Sequence, residues 1–282
     1  MFPILFQIGT FRIYTYGVFL MLAFFWSCFL IWKNIRISKF DEETAFDIVF
    51  AAFGGAFLIG RLVYVIFHFN QFGLDLLKFI LVNGYPGISA IGLIVGAIGT
   101  IYLMCGRKKI DFFEFSDYVV PSLFLFVAIS RLGSFFDGSF LGIKTGGFRH
   151  PVALYSALLF FVGSFLANRI LYAIRKESFS KEFPLIFFVW GYSLVVITMH
   201  FLTDPLVLLT EIKAEYWAFL ILLLTSCFYF VYYFRVLIGL KIKSFINWNS
   251  QYVQTVIKVV PHKSEKSHNG GGKENSSADR KH

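Results

Sequence analysis

Long apolar runs separated by short polar and basic stretches set the pattern of this chain. Seven runs stand out, over residues 14–32, 44–67, 86–105, 116–136, 152–174, 183–202 and 215–239. Each is close to the roughly 20 residues that an α-helix needs to cross about 30 Å of hydrocarbon. Inside lipid the backbone must satisfy its own hydrogen bonds, and a run of this length does so as a helix. The pattern therefore predicts an all-α integral membrane protein of about seven transmembrane helices, housed in residues 1–240. Beyond them KIKSFINWNSQYVQTVIK mixes apolar and basic positions and predicts an interfacial segment over 241–260. Residues 261–282 are polar, glycine-bearing and without period, which predicts a disordered basic tail able to touch anionic lipid.

Charge then orients the spans. One alternating set of loops carries Lys33, Arg36 and Lys39; Arg107, Lys108 and Lys109; Arg169, Arg175, Lys176 and Lys181; and Arg235 with the tail, together 19 of the 26 basic residues. The other set carries Arg12, Lys78, Lys144, Arg149 and Lys213. Basic loops stay in the cytoplasm, so the N-terminus is expected outside and the C-terminus inside. The start of the chain has no basic n-region and no small-residue cleavage site at the right distance, and reads as an uncleaved first helix.

Composition agrees, with 57% hydrophobic residues, 15% charged and 38 phenylalanines. That is more apolar surface than a soluble core of this length consumes. The net charge of +9 follows the membrane rule rather than forming an aromatic-basic patch, and nucleic acid is not expected as a partner. Cys28, Cys105 and Cys227 are far apart, each in or beside an apolar run, and read as buried thiols rather than metal ligands. Nothing in the chain calls for a metal or a cofactor.

Two arginines fall inside apolar runs, Arg61 and Arg131, each costing about 2.5–3.5 kcal/mol at membrane depth unless a cavity, a carboxylate or a phosphate receives it. Snorkelling at a helix end is the bland alternative for Arg61. Around Arg131 the sequence DYVVPSLFLFVAISRLGSFFDGSFLGIKTGGFRHPVALY gathers Asp117, Asp137, Gly138, Arg149, His150 and Tyr155. Guanidinium groups bind phosphate as a bidentate fork, which makes an anionic phospholipid headgroup the expected ligand. An internal pair of Arg131 with Asp117 or Asp137 is the structural alternative. His150, just before Pro151 at the start of the fifth span, is a candidate general base or a backbone-bonded loop histidine. His200 has little polar company and ranks below it. In GYPGISAIGLIVGAIG the four-residue spacing of Gly92 and Gly96 predicts close helix packing.

These motifs resemble the phosphatidylglycerol:prolipoprotein diacylglyceryl transferase family of bacterial inner membranes, over roughly residues 5–205. IGTFRIYTYG resembles that family's extracellular IG followed by an aromatic YG, which carries Tyr16 and Gly17 across. GRLVYVIF, with Arg61, resembles its second-helix signature. Asp117, Pro121, Arg131, Gly133, Phe135, Gly138 and Gly142 follow the order of its diagnostic motif, and RHPVALY follows its RHP-LYE motif. The chain also departs from the pattern. Ile91 stands where the family has a histidine proposed as catalytic, Ser134 and Ser139 replace its Asn and Glu, Asp137 replaces a second Asn, and Ser156 replaces a Glu. FVWGYSLVVITMHFL lacks the arginine expected after its YG.

The resemblance implies transfer of diacylglycerol from phosphatidylglycerol to the cysteine thiol of a lipobox-containing preprolipoprotein, releasing glycerol phosphate and leaving a thioether. It implies a catalytic set of Arg131 with His150 or Asp137. It implies substrate binding by Arg131, Tyr16, Arg61, Asp117, Arg149, Tyr155 and Gly138, in a multi-pass protein of the bacterial inner or plasma membrane. A homologue that binds phospholipid or lipoprotein precursor without transfer is the second reading. A small-solute transporter is third, disfavoured because no inverted repeat or pair of broken helices is visible.

Overall fold

The computed structural model describes residues 3–8, 11–73, 75–80, 87–176, 182–203 and 215–235. The segments 241–260 and 261–282 lie outside the described residues. Residues Met1–Phe230 form one compact unit, and the geometry below belongs to it.

Each of the seven apolar runs becomes a helix. They are α1 (Thr15–Ile35), α2 (Glu42–Phe67), α5 (Ala90–Lys108), α6 (Phe112–Asp137), α7 (Val152–Arg175), α8 (Phe183–His200) and α9 (Glu215–Arg235), and all are long and apolar enough to cross a membrane. Two short helices, α3 (Phe69–Phe72) and α4 (Leu76–Ile80), follow α2. Three of the long helices begin at a side-chain cap: Asp41 accepts from Thr44 N–H, Ser89 from Gly92 N–H and Asp111 from Glu114 N–H. These bonds satisfy donors that the first turn leaves open. The third helix therefore starts at Ala90, four residues later than hydropathy alone places it, because the Ser89 cap overrides the apolar run before it.

Two hairpins were invisible to a hydropathy reading. β1 (Ile4–Ile8) pairs antiparallel with β2 (Phe11–Tyr14), and β3 (Lys144–Thr145) with β4 (Phe148–Arg149). The second turns on Gly146 and Gly147, at φ 59° and 86°, the double positive φ that a two-residue hairpin loop demands and glycine supplies without strain.

Helix α6 is the hub, packed on α1 and α7 and touching α5 and α8, while α2 pairs with α5. The main core is aromatic, with Phe124, Phe160, Phe188, Tyr192 and Phe219 together. Large apolar side chains such as Phe25, Leu58, Leu159 and Phe228 point outward, which suits a lipid solvent.

Contacts sort the helix ends into two sets. At one end Lys39 bonds Glu114 at 2.9 Å, Lys108 approaches Asp47 at 3.5 Å and Trp32 donates to Glu42, joining the end of α1, the start of α2, the end of α5 and the start of α6. At the other, Tyr16 bonds Ser130 at 3.1 Å and Gly142 bridges Thr203, joining the start of α1, the end of α6 and the end of α8. Basic loops gather at the first end.

Gly92 and Gly96 do bring two helices into close approach. A Cβ on Gly96 would lie 2.7 Å from the Gly55 carbonyl oxygen and one on Gly92 2.9 Å from the Gly60 Cα, both backbone atoms of α2. Gly99, one turn on, has nothing within 4 Å of its missing Cβ. Gly96→Ala is expected to cost about 1–3 kcal/mol of stability by overpacking, while Gly99→Ala is neutral or slightly stabilising. Thermal unfolding of the two variants in the same detergent checks the contrast, and equal behaviour would refute the seam.

A headgroup-sized cavity at the end of the bundle opposite the basic loops

The last turns of α6 carry Ser130 and Arg131. Ser130 meets the Tyr16 hydroxyl, and Gly133 lies against Phe19 of the same helix α1, so α1 fixes this end of α6 from outside. Gly138, in the left-handed conformation at φ 79°, ends α6 and turns the chain back. That reversal places Phe140 under Arg131, with the guanidinium carbon 4.7 Å from the ring centroid. The following strand segment is stitched to the end of α8, where Ile143 N–H donates to Leu202 O at 3.0 Å.

Tyr192 on α8, a residue 7% exposed, lines the same cavity as Arg131. Arginine can give up none of its charge, and an aromatic face receives the guanidinium while leaving the N–H donors of its fork for an anion. Around it opens a cavity of about 250 Å³. Its polar lining is Arg131, Ser156, Tyr192, His200, Thr203 and Glu215, and its apolar lining includes Val195, Val196, Met199 and Phe219. The Glu215 carboxylate, in the first turn of α9, accepts from the Ser89 hydroxyl that also caps α5. The His200 ring lies over Tyr216, centroids 4.4 Å apart and tilted by 31°. Six helices, α2, α5, α6, α7, α8 and α9, thus contribute to one pocket. Its volume is below the range of about 300–1,000 Å³ usual for drug-sized ligands, so it has room for a small polar group.

Only some of the residues singled out from sequence meet here. Arg131 lines the cavity, Tyr16 backs it through Ser130, and Gly138 shapes it. Asp117 does not join them: it lies 14 residues before Arg131 on the same helix, about 21 Å away along the axis, beside Tyr118 and the basic end. An internal pair of Arg131 with Asp117 is thereby ruled out. Arg61 is buried, 1% exposed, and spends its fork on backbone: Nε donates to Phe79 O at 3.0 Å, Nη1 to Gly87 O at 2.8 Å and Nη2 to Lys78 O at 2.8 Å. It faces the Phe72 ring as well, at 5.0 Å. Asp137 in the last turn of α6, Tyr155 in the first turn of α7, and Arg149 and His150 at the β3–β4 hairpin do not line the cavity. At the hairpin Arg149 Nε donates to Gly142 O at 3.1 Å, and His150 sits between Phe148 and Tyr155.

Tyr192, Glu215 and Ser89 were not singled out by sequence reasoning, and His200, placed there below His150, lines the cavity. The available signal was a lone carboxylate or imidazole at the end of an otherwise apolar helix, a costly placement unless a polar cavity receives it. Ile91 occupies the first turn of α5, packed partly buried against the aromatic core, while its neighbour Ala90 faces the cavity.

A multi-pass membrane protein with a polar pocket that holds Arg131 and Glu215 at one end of its helices is the class that this geometry defines. The profile of the prolipoprotein diacylglyceryl transferases matches residues 3–232, and the chain belongs to that family. Among its relatives is the phosphatidylglycerol–prolipoprotein diacylglyceryl transferase of Clostridium kluyveri, 31% identical over 136 residues, which are 48% of this chain and 53% of that one. The enzyme of the same name from Clostridium tetani is 26% identical over 213 residues, covering 69% of this chain and 83% of the relative. That from Wigglesworthia glossinidia brevipalpis is 30% identical over 149 residues, half of each chain. The matched region thus spans about half the length of the Clostridium kluyveri and Wigglesworthia relatives.

Proposed function

We propose that this protein transfers the diacylglyceryl group of phosphatidylglycerol to the lipobox cysteine of a preprolipoprotein, at the outer face of a bacterial inner or plasma membrane. The observation that carries this reading is Arg131, seated on the Phe140 ring and lining, with Tyr192, a cavity of headgroup size. The reaction breaks the bond between a glycerol carbon and the phosphate oxygen and forms a carbon–sulfur bond. Charge grows on the departing glycerol phosphate, and a guanidinium aimed at it from a water-poor site stabilises that charge more than the neutral ester. Tyr16 and Gly138 hold the frame of this site, with Arg149 on the β3–β4 hairpin and Tyr155 in the first turn of α7 outside its lining. Names of the relatives above, which specify phosphatidylglycerol and prolipoprotein, support the substrate pair.

The test is direct. Purified protein in nanodiscs containing phosphatidylglycerol is expected to add a diacylglyceryl thioether to a lipobox peptide, read by mass spectrometry, and to leave the Cys→Ser peptide unmodified. Lipid binding without any thioether would favour instead the non-transferring homologue, the reading that Ile91 in place of an imidazole suggests.

Orientation follows the charge rule. A reporter fused after residue 240 is expected to read cytoplasmic and one inserted at Gly146 external, since the cavity end carries the fewer basic residues. The opposite result at either site would put the cavity on the wrong side for an exported substrate.

A further inference from the structure

Family pattern puts a histidine at position 91, and here that position is an isoleucine packed into the core. A thiol, with a pKa near 8.5, is a weak nucleophile until something takes its proton. The hairpin candidates do not reach the place where the phosphate binds, because neither His150 nor Asp137 lines the cavity. One imidazole does. His200, from the last turn of α8, shares the cavity with Arg131, and its ring packs on Tyr216 from α9 with centroids 4.4 Å apart and planes tilted by 31°. That contact restrains the imidazole through its face, and ring nitrogens on an imidazole's edge stay available for proton transfer.

We propose that His200 is the general base of this protein, taking the proton of the lipobox thiol across the cavity from Arg131. The assignment rests on the transferase reading above. Sulfur attacks the glycerol carbon as its proton passes to an imidazole nitrogen, the carbon–oxygen bond breaks, and glycerol phosphate leaves with the electron pair beside Arg131. The imidazolium then returns its proton to the released phosphate or to water, which closes the proton count. Several charged and titratable groups face His200 from the elements around it: Tyr64 on α2, Arg131 on α6, Tyr192 on α8, and Glu215 and Tyr216 on α9. Glu215 offsets the charge of Arg131, so the cavity tolerates a transient imidazolium better than a purely cationic pocket would. Tyr216 is a positioning residue, acting through the ring it holds.

Kinetics of His200→Gln and His200→Ala against the parent, with phosphatidylglycerol nanodiscs and lipobox peptides carrying cysteine or selenocysteine, test the assignment. Both variants are expected to bind phosphatidylglycerol within about threefold of the parent and to lose on the order of 10²–10⁴-fold in kcat/KM with the cysteine peptide. A selenol ionises far more readily than a thiol, so the loss with the selenocysteine peptide is expected to be at least tenfold smaller. The acid limb of the parent's kcat/KM profile with cysteine should vanish in both variants, and added imidazole should restore part of the activity of His200→Ala. Equal losses with the two peptides, or no loss at all, would overturn the role of His200 while leaving the transferase reading standing. A parent that transfers to neither peptide would overturn both.

Discussion

Replacing Arg131 by lysine should abolish most transfer while sparing the fold. Lysine keeps the positive charge but loses the planar fork, so one of two parallel hydrogen bonds to phosphate goes, together with the stacking on Phe140, where the guanidinium now lies 4.7 Å from the ring centroid. The expected fall in kcat is on the order of 10²-fold for Arg131→Lys and about tenfold more for Arg131→Ala, in line with removing a donor aimed at developing charge. Phosphatidylglycerol affinity should drop with it, by about tenfold in the lysine variant. Titration of the lipid into protein in detergent, alongside the thioether assay, separates the two effects. Variants that bind and transfer like the parent while melting earlier would make Arg131 a structural residue, and the cavity would then need another owner for the phosphate.

Arg61 should behave in the opposite way. It is buried where Arg131 is half-buried, and all three of its donor nitrogens serve the carbonyls of Lys78, Phe79 and Gly87. Removing it leaves several acceptors short of partners at once, each costing about 1–3 kcal/mol if water does not reach it. Arg61→Met is therefore expected to lower stability by roughly 3 kcal/mol or more, with poor yield of folded protein. Arg61→Lys recovers only part, since an ammonium has no fork to span three carbonyls. Molecules of the lysine variant that do fold should retain phosphatidylglycerol affinity within about threefold. A selective loss of lipid affinity at parent-like stability would return Arg61 to the substrate site.

The contrast between these two arginines shows where a sequence reading reaches its limit. Both interrupt an apolar run, and cost at membrane depth makes both candidates for the same reason. Their partners are what differ, and those partners lie beyond the helix that carries each arginine: Lys78, Phe79 and Gly87 for Arg61, and Phe140 for Arg131. The pairing of Arg131 with Asp117 looked open because both residues lie in one motif. A straight run of helix puts them at opposite ends, since about 1.5 Å of rise per residue over 14 residues is most of a membrane's thickness.

The number of spans, their boundaries to within a few residues, and the close approach at Gly92 and Gly96 were determined by sequence alone. Those features depend on local quantities: the length of an apolar run, the caps at Asp41 and Asp111, and a four-residue glycine spacing that marks one helix face. Motif order likewise led to the family. Which polar side chains share a cavity was decided by tertiary structure only. His200, Tyr192, Ser89 and Glu215 stand on two helices and one cap, up to 126 residues apart in the case of the Ser89–Glu215 bond. No local pattern brings them together, because their meeting depends on how α5, α8 and α9 pack around the end of α6, and that packing follows from the shapes of buried aromatic side chains rather than from any periodicity.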